Sequence, residues 1–199
     1  MRIGILAYQG SFEEHAHHLR KALSTSGLEG EVIPVKKRMD LTSVEGIVLP
    51  GGESTTLGVV AERMGILEDL RTAIHDGLPV LGTCAGAIML AKETSDSKVK
   101  IKQPTLGVMD FAVVRNYYGR QRESFQETLD MSRIGAEKVL VPFIRAPAIV
   151  KVWGNTEILA ELEGRPVMVQ EGPTLATTFH PELSSSYAVH QYFLKIVKR

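Results

Sequence analysis

A single cysteine in 199 residues excludes an internal disulfide and any zinc site built from several thiolates. Cytoplasmic localisation, where thiols stay reduced, is the expected setting. Net charge is missing as well. The 23 Lys and Arg residues balance 23 Asp and Glu residues, so no long-range field draws in a phosphate backbone or an anionic bilayer. Neither nucleic acid nor membrane is an expected partner. The longest largely apolar stretch, Leu78 to Ala91, is 14 residues long, carries Gly, Thr and Cys, and is too short to span a bilayer. Met1 to Gly10 leads into Glu13, Glu14 and His15 without a small-residue cleavage site, unlike a signal peptide. No internal repeat or low-complexity linker interrupts the chain. What remains is ordinary globular composition, 44% hydrophobic and 23% charged, which predicts a soluble single domain over 1–199.

The apolar pattern alternates between strand and helix. Arg2 to Ala7 reads as a strand, and Ser11, three residues before Glu14, has the spacing of a capping box. Phe12 to Leu23 then places Phe12, Ala16, Leu19 and Leu23 on one helical face. The unit recurs at Glu31 to Val35, at Gly46 to Leu49 with a helical stretch to Asp76, and at Pro79 to Gly82 before a helix from Ala85. Strands alternating with helices imply a parallel sheet. After Gly107 come short β-branched runs, among them Phe111 to Val114, Val139 to Ile144, Ile149 to Val152 and Val167 to Gln170, which predict added antiparallel strands. Ser185 to Val197 reads as a closing helix, and Thr94 to Pro104 as an exposed, solvated loop.

Gly82-Thr83-Cys84-Ala85-Gly86 is a Gly-x-nucleophile-x-Gly pattern with cysteine as nucleophile, placed between a strand and a helix. Such a turn strains its central residue and needs small neighbours. A helix start beneath the sulfur favours the attacking thiolate. Set against this, a lone cysteine is often only a small buried apolar residue. Its position at a strand's carboxyl end, where parallel sheets bind ligands, favours chemistry. His180-Pro181-Glu182 supplies a base and its orienter. Pro181 biases His180 toward an extended conformation, so that His180 and Glu182 project on one side. The order Cys84, His180, Glu182 follows triad logic. Pro50-Gly51-Gly52-Glu53-Ser54 ends another apolar strand, and its glycines allow main-chain donors to face a ligand. Gly52 and Ala85, just after the nucleophile, are the expected oxyanion-hole pair. A Walker loop is excluded, since no Gly-Lys-Ser/Thr follows at the required spacing.

These residues resemble the class I, or triad, glutamine amidotransferases. Gly46-Ile47-Val48-Leu49-Pro50-Gly51-Gly52-Glu53-Ser54-Thr55-Thr56 is similar to a signature of the glutaminase subunits of pyridoxal 5'-phosphate synthases. So are Arg115-Asn116, Ser124-Phe125, Ile144-Arg145-Ala146-Pro147 and Phe179-His180-Pro181-Glu182-Leu183. Tyr8 departs from the leucine of that pattern. The resemblance implies a three-layer, flavodoxin-like α/β fold with a mostly parallel central sheet, helices on both faces and added antiparallel strands. It implies hydrolysis of L-glutamine to glutamate and ammonia, with the ammonia passed to a separate synthase subunit in a hetero-oligomer. That partner makes pyridoxal 5'-phosphate from ribose 5-phosphate and glyceraldehyde 3-phosphate. The implied glutamine pocket comprises Gly51, Gly52, Glu53, Arg115, Ile144 and Arg145. Gln9 is expected at the partner interface, and no metal or organic cofactor is implied.

Other features carry plainer readings. His15, His17 and His18 lack a convergent third or fourth ligand for a metal and are read as a solvated helix face. Met64 and Met89 are read as core filler, and Trp153 as an anchor in the β-rich half. Two other functions stay open on the residues themselves: a cysteine hydrolase acting alone, such as a peptidase or γ-glutamyl hydrolase, and a non-catalytic subunit of a complex.

Overall fold

The computed structural model describes residues 1–96, 103–118 and 124–199. Its frame is a seven-stranded sheet in the order β10-β11-β12-β4-β3-β1-β2. The strands are β1 (Arg2–Leu6), β2 (Glu31–Val35), β3 (Gly46–Leu49), β4 (Val80–Thr83), β10 (Glu157–Leu162), β11 (Arg165–Glu171) and β12 (Thr174–Thr177). From β12 to β2 all neighbours are parallel, and β10 and β11 are added antiparallel at one edge. The central strands β3, β4 and β12 are buried at every position because both faces are covered. Thus Ile47, Leu49 and Val80 face one core while Val48 and Leu81 face the other.

One face carries α3 (Ser54–Arg63), α4 (Leu67–His75), α5 (Ala85–Leu90) and the short α2 (Arg38–Leu41); the other carries α1 (Phe12–Thr25) and α6 (Ala188–Val197). This is the three-layer α/β architecture expected. The stretch before Asp76 is two helices rather than one, divided at Gly65 with φ of 68°. The closing helix starts three residues later than expected, at Ala188.

Two small sheets complete the β-rich half. In one, β5 (Ala91–Asp96), β6 (Met109–Arg115) and β9 (Ala148–Val152) lie in that order. In the other, β7 (Ser124–Asp130) pairs antiparallel with β8 (Lys138–Ile144). The β5 and β6 pair is parallel, an exception to the antiparallel expectation for this half. Thr94 to Asp96 belong to β5 and not to a loop, and residues 97–102 of that expected loop lie outside the described residues. Met64 is half-exposed beyond the end of α3 rather than core filler, whereas Met89 is buried. Trp153 is partly buried, with the Lys151 ammonium 5.0 Å from its ring centroid.

The histidine reading for α1 is overturned. His15 is fully buried, His18 is nearly so, and only His17 faces solvent. Packing α1 against α6 turns the His15 and His18 side inward alongside Leu19 and Ala22. The capping-box expectation also fails. The Ser11 side chain does not cap α1; its hydroxyl donates instead to Glu182 Oε1 at 2.5 Å.

Candidate active site

Because β1, β3, β4 and β12 run parallel, the loops leaving their carboxyl ends meet at one edge of the sheet. They deliver Gln9 to Ser11, Pro50 to Glu53, Cys84, and His180 to Glu182. Cys84 follows β4 at once with φ of 47°, a left-handed conformation strained for a non-glycine residue. The flanking glycines are fixed by contact. A Cβ on Gly82 would lie 2.8 Å from Gly86, and one on Gly86 would lie 2.0 Å from the Leu49 carbonyl oxygen. The elbow therefore packs directly on the end of β3.

His180 and Glu182 flank Pro181 at the start of a 3-10 turn, Pro181–Leu183. His180 Nδ1 is 2.7 Å from Glu182 Oε1. A Cβ on Gly51 would lie 2.4 Å from His180 Cε1 and 3.5 Å from the Cys84 Cβ, so all three residues share one small volume. Burial disfavours the charged ring of His180. Hydrogen bonds to Cys84 and Glu182, with their negative charge, outweigh burial and push His180 up to about 10. Glu182 is 1% exposed, which alone would raise its pKa, but neighbouring His15 and His180 and the Ser11 hydroxyl hold it down at about 2.

Cys84 and His180 open onto a cleft of about 280 Å³, also lined by Gly52, Glu53, Arg115, Ile144 and Arg145. Cys84 is only 5% exposed, yet that surface faces the cleft, and its Sγ lies 3.9 Å from the Ile144 carbonyl oxygen. Gly51 stands behind the cleft wall, against His180. The two arginines differ. Arg115 donates to Glu53 Oε1 (2.9 Å), Thr55 Oγ1 (2.9 Å) and Gln103 Oε1 (2.6 Å), with Asp96 3.9 Å away. Arg145 has φ of 46° and makes no side-chain hydrogen bond or ion pair among the described residues. Glu53 caps α3 through the Thr55 and Thr56 amides. These bonds and Arg115 lower its pKa against the opposing effect of burial.

The Pro50–Gly52 turn is held from one side. Gly51 O accepts from the Ser11 amide at 3.3 Å, and no peptide among the described residues is cis. In a trans peptide the carbonyl and the following N–H point opposite ways. The Gly52 N–H is thus aimed away from the β1 loop. Gln9 brackets the same turn, its Nε2 donating to Glu53 O at 2.9 Å and its Oε1 accepting from Glu53 N at 3.3 Å. Among the described residues no acidic, histidine or cysteine cluster suits a metal, and no helix is long and apolar enough to cross a membrane.

The sequence patterns missed the other partners of these side chains. Thr55, Asp96 and Gln103 fix Arg115, and Ser11, His15, Thr83 and His190 gather behind Glu182. Their contacts join distant segments. The histidine repeat of α1 was the one available signal.

Known proteins resemble this chain along its whole length. The model of the SNO glutamine amidotransferase family matches residues 5–199. The pyridoxal 5'-phosphate synthase subunit PdxT of Saccharolobus solfataricus is 58% identical over 199 residues, covering all of both chains. A protein of the same name from Sulfurisphaera tokodaii is 54% identical, again over full length. Among solved structures, a glutamine amidotransferase superposes with a TM-score of 0.86 at 41% identity, covering 99% of each chain. PurLQS from Thermotoga maritima gives 0.63 at 19% identity over 99% of this chain and 97% of that one, a likeness of fold alone. A family model matched over nearly the whole length and full-length relatives at more than half identity leave one conclusion: this chain belongs to the SNO glutamine amidotransferase family.

Proposed function

We propose that the chain is the glutaminase subunit of a pyridoxal 5'-phosphate synthase, with Cys84, His180 and Glu182 as its catalytic triad. The observation that carries the triad is the joint placement of the Cys84 sulfur and the His180 ring at the floor of one cleft, with Glu182 bonded to His180 Nδ1. Nδ1 is engaged, so Nε2 is the nitrogen left for the sulfur. Once His180 has taken its proton, the Cys84 sulfur attacks the side-chain amide of glutamine, and the imidazolium returns that proton to the leaving ammonia. Glu182 holds the ring and balances its charge. Water activated by His180 then cleaves the glutamyl thioester.

The developing oxyanion is met by the N–H of Gly52, which the Ser11 contact of Gly51 O leaves turned away from the β1 loop, and by that of Ala85 at the first position of α5, where a helix donor has no intrahelical acceptor. Arg145 suits the substrate α-carboxylate, since its fork is uncommitted. Glu53 suits the α-ammonium, and Arg115 acts mainly by holding Glu53 in place. Ile144 lines the cleft beside Cys84. Gln9, bonded to the Glu53 backbone, is assigned to the interface where a synthase subunit would bear on the Gly51-Gly52 turn and receive the ammonia in a hetero-oligomer. The names of the full-length relatives support that assignment. A cytoplasmic enzyme fits the reduced thiol.

The test is glutamate release and glutamine-dependent pyridoxal phosphate formation, with and without the cognate synthase. Both are expected to require Cys84 and to rise when the synthase is added. Full-rate cleavage of peptides or folylpolyglutamates by the isolated chain would instead favour a hydrolase acting alone. Pyridoxal phosphate formation that needs this chain but neither glutamine nor Cys84 would favour a non-catalytic subunit.

A further inference from the structure

Behind Glu182, on the side away from the cleft, lies a sealed group of side chains that the proposed reaction does not use. Glu182 Oε1 is saturated, accepting from Ser11 and facing His180 Nδ1. Glu182 Oε2 is buried and accepts no hydrogen bond of good geometry. The group facing it is His15 Nε2, 3.3 Å away, with both side chains fully buried. His15 Nε2 is also 3.0 Å from Thr83 Oγ1, and His15 Nδ1 is 2.9 Å from His190 Nε2. His190 Nδ1 ends the chain, buried and without a partner.

That orphan atom fixes the direction of the protons. A buried N–H without an acceptor is rarer in proteins than an acceptor left unsatisfied, so the bare nitrogen of His190 is Nδ1 and its proton sits on Nε2. His190 Nε2–H then donates to His15 Nδ1. The proton of a neutral His15 is left on Nε2, directed at Thr83 and at Glu182 Oε2. Burial, the largest influence, keeps His15 low at about 4 and His190 well below its ordinary value, so neither competes with His180 for charge.

We infer that His15 is a positioning residue for the reaction: as a neutral donor oriented by His190, it holds the second oxygen of Glu182 so that the first meets His180 squarely. This rests on the triad reading above. The charged or titratable groups around His15 are Glu182 and His180 from the loop after β12, Glu14 and His18 from its own helix, and His190 from α6. His18 is tied elsewhere, its Nε2 lying 2.9 Å from the Ser184 carbonyl oxygen.

Two amide replacements separate this role from simple packing. Glutamine can place its NH2 near the Nε2 position, whereas asparagine reaches only as far as Nδ1. With the synthase present, His15→Asn is expected to lower kcat about ten- to hundredfold with KM little changed, the cost of a misplaced catalytic group. The acid limb of its kcat/KM profile should move to higher pH, since Glu182 loses a partner. His15→Gln should recover kcat to within about fivefold of wild type, with the acid limb restored. Equal rates and profiles in the two variants, both checked for folding by thermal unfolding, would overturn the role. In wild-type protein, imidazole nitrogen chemical shifts should show His15 protonated at Nε2 only, and protonation at Nδ1 alone would overturn it without any variant. Wild-type rates in Cys84→Ala or Glu182→Gln would instead remove the triad itself.

Discussion

Glu182 has a front and a rear, and the two are built by different means. The front is made of loop residues at strand ends, where Cys84, His180 and Gly52 face an open cleft. The rear is made of helix residues, His15 from α1 and His190 from α6, in a sealed core. At the front, hydrogen bonds and negative charge favour an imidazolium; at the rear, burial keeps two imidazoles neutral. One carboxylate thus meets histidines of opposite tendency on its two sides. Chemistry needs the first to change charge and the second never to.

Substitutions can break this contrast. Cys84→Ala, at the front, should lower glutamate release about 10⁴-fold or more while the unfolding midpoint scarcely moves. Pyridoxal phosphate formation from free ammonia should survive in the complex, and its loss would give Cys84 a structural role. Glu182→Gln, shared by both sides, should cost about 10²- to 10⁴-fold in kcat and also lower the unfolding midpoint, because His180 loses its counter-charge. A variant with wild-type kcat would take Glu182 out of the mechanism. Gly10→Ala would drive a Cβ to 1.8 Å from the Gly51 carbonyl oxygen. The turned peptide should forfeit one oxyanion donor, about 10²- to 10³-fold in kcat, with glutamine still bound in equilibrium dialysis.

The remaining tests read stability more than rate. Arg115→Ala should raise KM and cost about 1 to 3 kcal/mol by denaturant titration, because it unties Glu53, Thr55 and Gln103. Arg145→Ala should raise KM with stability unchanged. Equal midpoints in the two variants would contradict the division between them. The pH dependence of stability sharpens the contrast most finely, with a slope of at most about 1.4 kcal/mol per pH unit for each group. His15 has its folded pKa lowered from 6.5 to about 4, so below 6.5 the unfolded chain takes a proton that the folded one refuses, and stability falls down to about 4. His180 is raised from 6.5 to about 10, so its contribution is complete below 6.5 and is lost as pH climbs to about 10. His15→Gln should flatten the acid side alone; flattening on the alkaline side would mean that the assignments are crossed.

Much of the front was legible in the sequence because its residues come in short contiguous patterns. Gly82 to Gly86 encodes a turn whose glycines are required within the motif itself, and His180-Pro181-Glu182 places base and carboxylate two residues apart. The parallel core was equally readable, since its strands carry short apolar runs such as Ile47 to Leu49. The rear was not legible, because His15 meets His190 across 175 positions and helical spacing alone does not say which helix covers it. Ser11 misled for a related reason. A serine before a helix has a local use as a cap, and a distant carboxylate claimed it instead. Strand β5 was hidden by its polar sequence, Ala91–Asp96, in which only Ala91 is buried. Arg115 does line the cleft, but the partners that hold its fork, Glu53, Thr55 and Gln103, lie in other segments and were not legible.

Thr83 immediately precedes the nucleophile, and its hydroxyl rests on His15. Sulfur height and carboxylate tilt are consequently two settings on a single screw. Directed evolution that shifts the elbow to admit a bulkier amide should need a compensating exchange in α1 or α6, and winning clones should carry such changes in pairs.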